Sequence, residues 1–244
     1  MNAIILAAGI GSRMYPLSSK TPKPLLKIGN EPIIERQVRF LREADVESIY
    51  IVTGYKHNYF EYLSEKYKDL YLIQNSKYET TNNIYSLFLC KDILKNNTWI
   101  IEGDIYLTRN LFRTYSRSLY ITAPKSINTY EWILKFDDTK RIDKIIVADK
   151  NLDSKYCFGQ YYILSGISYW MERELKFIVH NLKHKFKNKR NYSANKLLYW
   201  DRVIFENIND IEVYVEFSNS DDWFEVDTPE EYNNLLSFVK NANI

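Results

Sequence analysis

Glycine and proline are scarce, at 7 and 6 of 244 residues. That excludes collagen-like repeats and a Gly/Pro-rich disordered chain. Cysteine is rarer still. Cys90 and Cys157 stand far apart with no C-x-x-C spacing, so neither a zinc ribbon nor a disulfide framework is expected, only reduced thiols. Charge of one sign is also missing: 33 Lys and Arg against 31 Asp and Glu leave a net +2. Such a balance creates no global field for nucleic acid or an anionic membrane. No apolar run approaches the ~18 residues a membrane span needs. The first nine residues are apolar, but no basic stretch precedes them and a glycine turn follows. They read as a buried first strand and not as a signal peptide, so a cytoplasmic protein is expected.

Aromatic residues are abundant, at 16% of the chain: 21 Tyr, 12 Phe and 5 Trp. An AT-rich genome explains an excess of Tyr and Phe through codon bias, but not Trp. Hydrophobic content of 45% and charged content of 26% are those of a soluble globular protein. A chain of this length buries roughly 70–75% of its unfolded surface, enough for a sizeable core.

Strand-like and helical patterns alternate in the first half. Ala3–Leu6, Ser48–Thr53, Leu70–Gln74 and Trp99–Glu102 are short apolar or β-branched runs. Between them, Pro32–Ala44, His57–Tyr67 and Ile84–Leu94 carry i, i+3, i+4 apolar spacing. This predicts an α/β fold, Rossmann-like, with a mostly parallel mixed sheet and helices on both faces. Ligands then bind at the carboxyl ends of the strands, in the loops after Leu6, Thr53, Gln74 and Glu102. The second half reads as strands at Leu119–Ala123, Glu131–Phe136, Ile142–Val147 and Tyr162–Trp170, with no crossover helices among them. Helices at Glu172–Phe186 and Asn195–Asn207, a strand at Glu212–Phe217 and a helix at Pro229–Val239 follow. No linker divides the halves. The expectation is a single domain, 1–244: a nucleotide-binding core over 1–115, an inserted, partly antiparallel lid that binds substrate over 116–210, and a return to the core over 211–244.

The first loop runs Leu6-Ala7-Ala8-Gly9-Ile10-Gly11-Ser12-Arg13. Small residues let backbone N–H groups close in on an anion, and Arg13 adds a guanidinium fork for phosphate. Lys23, in Lys20-Thr21-Pro22-Lys23-Pro24-Leu25, brings a second cation. Met14 stands where a dinucleotide fingerprint needs glycine, and no P-loop string is present. Further on, Ile100-Ile101-Glu102-Gly103-Asp104 is an apolar strand running into acid, and Asp227 in Trp223-Phe224-Glu225-Val226-Asp227 offers a second carboxylate. Mg²⁺ uses one or two carboxylates together with substrate phosphates and water. Asp104 can equally cap a helix starting near Arg109, and Asn82 can cap one before Ile84.

The string Ala3–Arg13, followed by Thr21-Pro22-Lys23-Pro24-Leu25, resembles the signature of the nucleoside-triphosphate transferases. Within that family the chain is most similar to the bacterial CTP:phosphocholine cytidylyltransferases, which supply CDP-choline for surface glycans. Thr53-Gly54-Tyr55, Asn82–Leu87, Glu131-Trp132, Ser165–Trp170, Tyr199-Trp200-Asp201 and Glu225-Val226-Asp227 carry the likeness through the chain. The resemblance implies a nucleotide site of Leu6, Ala7, Ala8, Gly9, Gly11, Ser12, Arg13, Lys23, Gly54 and Asn82. Arg13 would hold the β and γ phosphates of CTP, Lys23 the α phosphate, and Asn82 the base edge. Mg²⁺ would be held by Asp104 and Asp227, with Lys23, Arg13 and Asp104 catalytic. Relatives often have Asp-Ala-Asp where Glu102-Gly103-Asp104 stands, which leaves Glu102 without an assigned role. Tyr130 departs from a family Asn.

A trimethylammonium group donates no N–H hydrogen bond and is recognised by aromatic faces. Trp132, Trp170 and Trp200, with Tyr85, Tyr169 and Tyr199, are the candidate acceptor pocket, and Glu131 or Asp201 can supply a carboxylate. Trp99 and Trp223 read as core. Rings of this kind also fill ordinary cores, so a phosphorylated sugar or another phosphorylated alcohol or amine, such as phosphoethanolamine, is the rival acceptor. Oligomeric state is not legible. The basic run Lys183, Lys185, Lys187, Lys189 and Arg190 reads as a solvated helix end, and His180 and His184, with no Glu after His180 and Lys183 between them, are not expected to bind a metal.

Overall fold

The computed structural model describes residues 1–126, 131–148 and 160–242. Tyr130 and Cys157 lie outside the described residues. In chain order the elements begin β1 (Asn2–Ala7), α1 (Leu17–Lys20), β2 (Lys27–Ile28), β3 (Glu31–Pro32), α2 (Ile33–Glu43), β4 (Ser48–Thr53) and α3 (Glu61–Lys66). They continue with β5 (Leu70–Gln74), α4 (Asn83–Leu89), β6 (Thr98–Glu102), β7 (Ile105–Leu107), β8 (Leu119–Ser126), β9 (Glu131–Phe136) and β10 (Ile142–Ala148). The last are β11 (Gln160–Trp170), α5 (Glu172–Lys185), α6 (Lys189–Asn195), α7 (Arg202–Phe205), β12 (Tyr214–Phe217), β13 (Trp223–Glu225) and α8 (Pro229–Ala242).

Among the described residues the main sheet has nine strands, with the path β10-β9-β11-β6-β1-β4-β5 and β8 and β12 branching from β11. The strands β6, β1, β4 and β5 are parallel, as the alternating pattern predicts. β11 then runs antiparallel to β6, and β8 and β9 pair antiparallel with β11. The sheet is therefore a parallel half extended by a mostly antiparallel half, in which β12 alone pairs parallel, with β8, among the described residues.

Every residue of β1 is buried because helices cover both faces of the sheet. Ala3, Ile5 and Ala7 share one core with Ile34, Val38 and Leu41 of α2 and Leu63 of α3. Ile4 and Leu6 point the other way, into a core with Leu87 of α4, Ile178 of α5 and Val203 of α7. A third cluster joins α8 to Met14, Tyr106 and Val226. Trp99 and Trp223 are buried, as expected of core residues. No helix among the described residues is long and apolar enough to cross a membrane.

Three helices are shorter than their periodicity predicts. His57–Phe60 is a tight turn before α3. The helix beginning near Ile84 ends at Leu89. The segment 195–207 is not one helix: it breaks between α6 and α7, and Tyr199 and Trp200 occupy the break. The cause is tertiary. The Trp200 N–H leaves the helical pattern to donate to the Asn83 side chain at 2.7 Å, and its ring is buried.

Candidate active site

β1 delivers the first loop to the sheet's carboxyl edge. The side chains of Leu6, Ala7 and Ala8 are core, so only their backbone faces the site. Gly9 and the segment Ser12–Arg13 are exposed, and Gly11 adopts φ 66°. Two neighbouring loops close on this turn. A Cβ at Gly54 would lie 2.6 Å from Ala8 O and 2.5 Å from Tyr78 Cβ, and one at Gly103 would lie 2.9 Å from Ala7 Cβ. Glycine at both places lets Tyr55 N–H donate to Ala8 O at 3.1 Å and Gly103 N–H donate to Leu6 O at 2.9 Å.

The charged centre forms where chain segments more than 200 residues apart meet. Lys23 Nζ lies 2.5 Å from Asp104 Oδ2 and 2.6 Å from Asp227 Oδ1. Arg13 reaches Asp227 Oδ2 at 2.7 Å with most of its side chain in solvent. Burial alone would lower the Lys23 ammonium, but the charges of Asp104 and Asp227 outweigh it and hold the group well above its ordinary value. Burial tends to raise the Asp227 carboxyl, yet Lys23 beside it keeps it below its ordinary value.

The backbone after β6 turns sharply through Gly103 and Asp104 into β7, so Asp104 caps no helix near Arg109. This turn is clamped from α2 by two residues outside the predicted site. Gln37 is fully buried and its Nε2 donates to Glu102 O at 3.0 Å and Ile105 O at 2.7 Å. Arg36 Nε donates to Leu107 O at 2.5 Å. Gln37 falls on the apolar stripe of α2, and a polar residue on that stripe was the available signal.

Asp104, Glu225 and Asp227 each offer a carboxylate oxygen within 4.8 Å of the others. Asp104 Oδ1 is buried with no hydrogen-bond partner among the described residues. Hard oxygen donors with one unpaired atom fit Mg²⁺. Glu225 joins the two predicted acids because β13 ends beside the β6–β7 turn, where it pairs with β7.

The candidate aromatic residues divide. Trp132 and Tyr199 meet edge to face at 5.9 Å, with Phe205 4.4 Å from Trp132 and the Arg202 guanidinium 5.4 Å above its ring. Tyr199 is 46% exposed. Trp170 and Trp200 are core instead: they pack on each other at 5.9 Å and on Tyr120. Tyr169 sits on the opposite face of the sheet, against Trp99 and Tyr115. Tyr169 and Trp170 are successive strand residues and so cannot line one pocket. Tyr85 belongs to a separate cluster with Phe88, Phe186 and Tyr192, under the Lys77 ammonium. The single pocket expected of three Trp is thus reduced to Trp132 and Tyr199, with Trp200 buried beneath the turn that bears Tyr199.

Asp201 is buried and accepts from Tyr120 Oη at 2.9 Å. Burial pushes its carboxyl up to about 7, with the tyrosine bond opposing. It faces the core and not the Trp132–Tyr199 pair. Glu131 is also pushed up to about 7 by burial, while the charge of Lys125 opposes and that of Asp227 adds. As the residue before Trp132 on β9, it points to the other side of that strand. Asn82 caps α4: its Oδ1 accepts from Asn83 N–H at 2.7 Å and its Nδ2 donates to Leu197 O at 3.3 Å.

The loop, the carboxylates and the parallel sheet are those of a nucleotidyl transferase. Residues 2–241 match that family, and the chain belongs to it. Curated relatives include the choline-phosphate cytidylyltransferase of Streptococcus pneumoniae, 39% identical over 100% of both chains. That of Haemophilus influenzae is 40% identical over 97% of this chain and 96% of its own. A 2-aminoethylphosphonate cytidylyltransferase of Lancefieldella rimae is 32% identical over 88% of this chain and 83% of its own. Among solved structures, the CTP:phosphocholine cytidylyltransferase of Streptococcus pneumoniae superposes with TM-score 0.88 at 36% identity, covering 98% of each chain.

Proposed function

We propose that this protein is a Mg²⁺-dependent cytidylyltransferase that transfers CMP from CTP to phosphocholine, giving CDP-choline and pyrophosphate. The observation that carries the reading is the pairing of half-buried Trp132 on β9 with exposed Tyr199, the latter on a turn tied through Asn83 to the strand that ends at the Lys23–Asp104–Asp227 centre. Two aromatic faces suit a quaternary ammonium, and the charged centre suits a triphosphate. Full-length relatives with the corresponding name support the same acceptor.

In this reading residues 1–115 hold the nucleotide, 116–210 the acceptor, and 211–244 return Asp227 to the core. A phosphate monoester oxygen of phosphocholine attacks the α phosphorus of CTP, and pyrophosphate departs. The attacking oxygen is already anionic, so no general base is required. Catalysis is positioning plus charge stabilisation. Lys23 leaves its carboxylate partners to meet the α phosphate, and Arg13 meets the leaving pyrophosphate. Gly9–Ser12 backbone N–H groups line the phosphate path. Asp104 and Asp227 would hold Mg²⁺, with Glu225 at the rim. When bound, the ion neutralises charge that the phosphates share.

Pyrophosphate release decides the matter. CTP and UTP are offered with phosphocholine, phosphoethanolamine, 2-aminoethylphosphonate and glucose 1-phosphate, with and without EDTA. CTP with phosphocholine is expected to give the highest kcat/KM, and EDTA to abolish release. Preference for a sugar phosphate overturns the acceptor, and full turnover in EDTA overturns the metal.

A further inference from the structure

Two consecutive asparagines open α4, and both reach the segment that ends at Tyr199 and Trp200. Asn82 N–H donates to Lys196 O at 2.7 Å. Asn83 does more. Its side-chain carbonyl accepts from Trp200 N–H at 2.7 Å, while its NH₂ donates to Glu102 Oε1 at 2.8 Å. One amide thus satisfies two partners of opposite need. Glu102 is the last residue of β6, two before Asp104. It is seated tightly: a Cβ at Gly166, where φ is 74°, would lie 2.9 Å from Glu102 Cγ. Beyond Trp200 the turn is fixed again, since Asp201 accepts from Tyr120 Oη and Trp200 packs on that tyrosine. With both following residues locked inward, Tyr199 is the ring this turn presents outward, against Trp132.

We propose that Asn83, oriented by Glu102, is a positioning residue for the acceptor pocket. It ties the strand end that carries Asp104 to the backbone that presents Tyr199. The inference rests on the phosphocholine reading given above. The break between α6 and α7 keeps local bonds, Leu198 N–H to Asn195 O and Arg202 N–H to Tyr199 O, but its ties to α4 run through Asn82 and Asn83, so without the Asn83 bond Tyr199 samples other orientations. Ordering it is then charged to acceptor binding. The cost falls on phosphocholine and not on CTP, whose phosphates meet Lys23 and the first loop. The same tie gives Glu102 a role that a metal ligand set of Asp104, Glu225 and Asp227 leaves open.

The test is steady-state kinetics of Asn83→Ala, Glu102→Ala, the double variant and Glu102→Gln beside the wild type, varying each substrate in turn. Loss of one hydrogen bond of this kind is expected to raise the KM for phosphocholine about tenfold in Asn83→Ala. Its kcat and its KM for CTP are expected to stay within about twofold of wild type. Glu102→Ala should raise the same KM, and the double variant should be no worse than the worse single, because both break one tie. Glu102→Gln keeps the accepting oxygen and should restore a near-wild-type KM. An unchanged phosphocholine KM in Asn83→Ala overturns the proposal. So do an equal rise for both substrates or additive singles. If Asn83→Ala fails to fold, the Glu102→Ala and Glu102→Gln contrast decides by the same KM split. A wild type that makes no CDP-choline sinks the acceptor reading, whereas wild-type turnover with an unmoved KM in the variants sinks the positioning role alone.

Discussion

Lys23 bridges Asp104 and Asp227 at 2.5 and 2.6 Å, so one ammonium holds together two carboxylates more than 120 residues apart in sequence. Without it, Asp104, Glu225 and Asp227 would crowd one another, with Arg13 paired to Asp227 alone. Lys23→Met is expected to lower kcat by about 10²–10³, the loss typical when one charge-stabilising donor is removed. Its Tm should also fall, and added Mg²⁺ should recover more of it than in wild type, since a divalent ion supplies the missing countercharge. Thermal melts with and without Mg²⁺ read this independently of turnover. A variant melting as wild type does, with no added response to Mg²⁺, would contradict it.

The aromatic residues separate by environment, and so should their variants. Trp132→Ala and Tyr199→Ala are expected to raise the KM for phosphocholine about tenfold or more, as each face contributes ~1–2 kcal/mol to a desolvated cation. Phosphoethanolamine, which can hydrogen-bond through N–H, should be affected less. Trp170→Ala is a core truncation, expected to cost ~3–5 kcal/mol of stability. Chemical denaturation with substrate titration distinguishes the two kinds. A stable Trp170→Ala with selectively weakened phosphocholine binding would return Trp170 to the pocket.

Much of this arrangement was legible in the sequence because its parts are contiguous strings. Ala7–Arg13 sits at the end of an apolar strand, and Asp104 follows another, so the sheet's carboxyl edge collects both. The aromatic grouping was less legible. Alternation along β11 already requires Tyr169 and Trp170 to face opposite ways, and a shared motif obscured it. The break at Tyr199–Trp200 was hidden for a different reason. Its cause, the Asn83 side chain, lies 117 residues away. Glu225 joined the acids through the pairing of β13 with β7, two short strands with little pattern of their own.

Gln37 is the clearest residue that periodicity conceals. Its buried amide holds both ends of the turn that carries Asp104. Gln37→Leu keeps the volume but leaves two carbonyls, Glu102 O and Ile105 O, without this donor. The expected cost is about 1–3 kcal/mol of stability from the unmet polar groups. Because the turn loosens at a carboxylate, kcat should fall and the Mg²⁺ concentration for half-maximal activity should rise. Half-saturation unchanged in a folded variant would show that the turn keeps its shape without Gln37.

Stability should also carry the signature of Asp201. Its carboxyl ionises at 3.8 ordinarily and is pushed up to about 7 by burial in the fold. Between these values the folded chain keeps a proton that the unfolded chain has released. Its contribution is therefore most favourable below about pH 4, is lost as pH rises to about 7, and is flat beyond. The span converts to roughly 4 kcal/mol as an upper bound. Glu131 is raised into the same window, so wild-type melts alone do not isolate Asp201. Asp201→Asn does, because an amide oxygen still accepts from Tyr120 and no charge is buried at any pH. The variant is expected to melt above wild type at pH 8, with the gap closing toward pH 4. A variant that melts below wild type at pH 8 would mean that Tyr120 requires the ionised carboxylate.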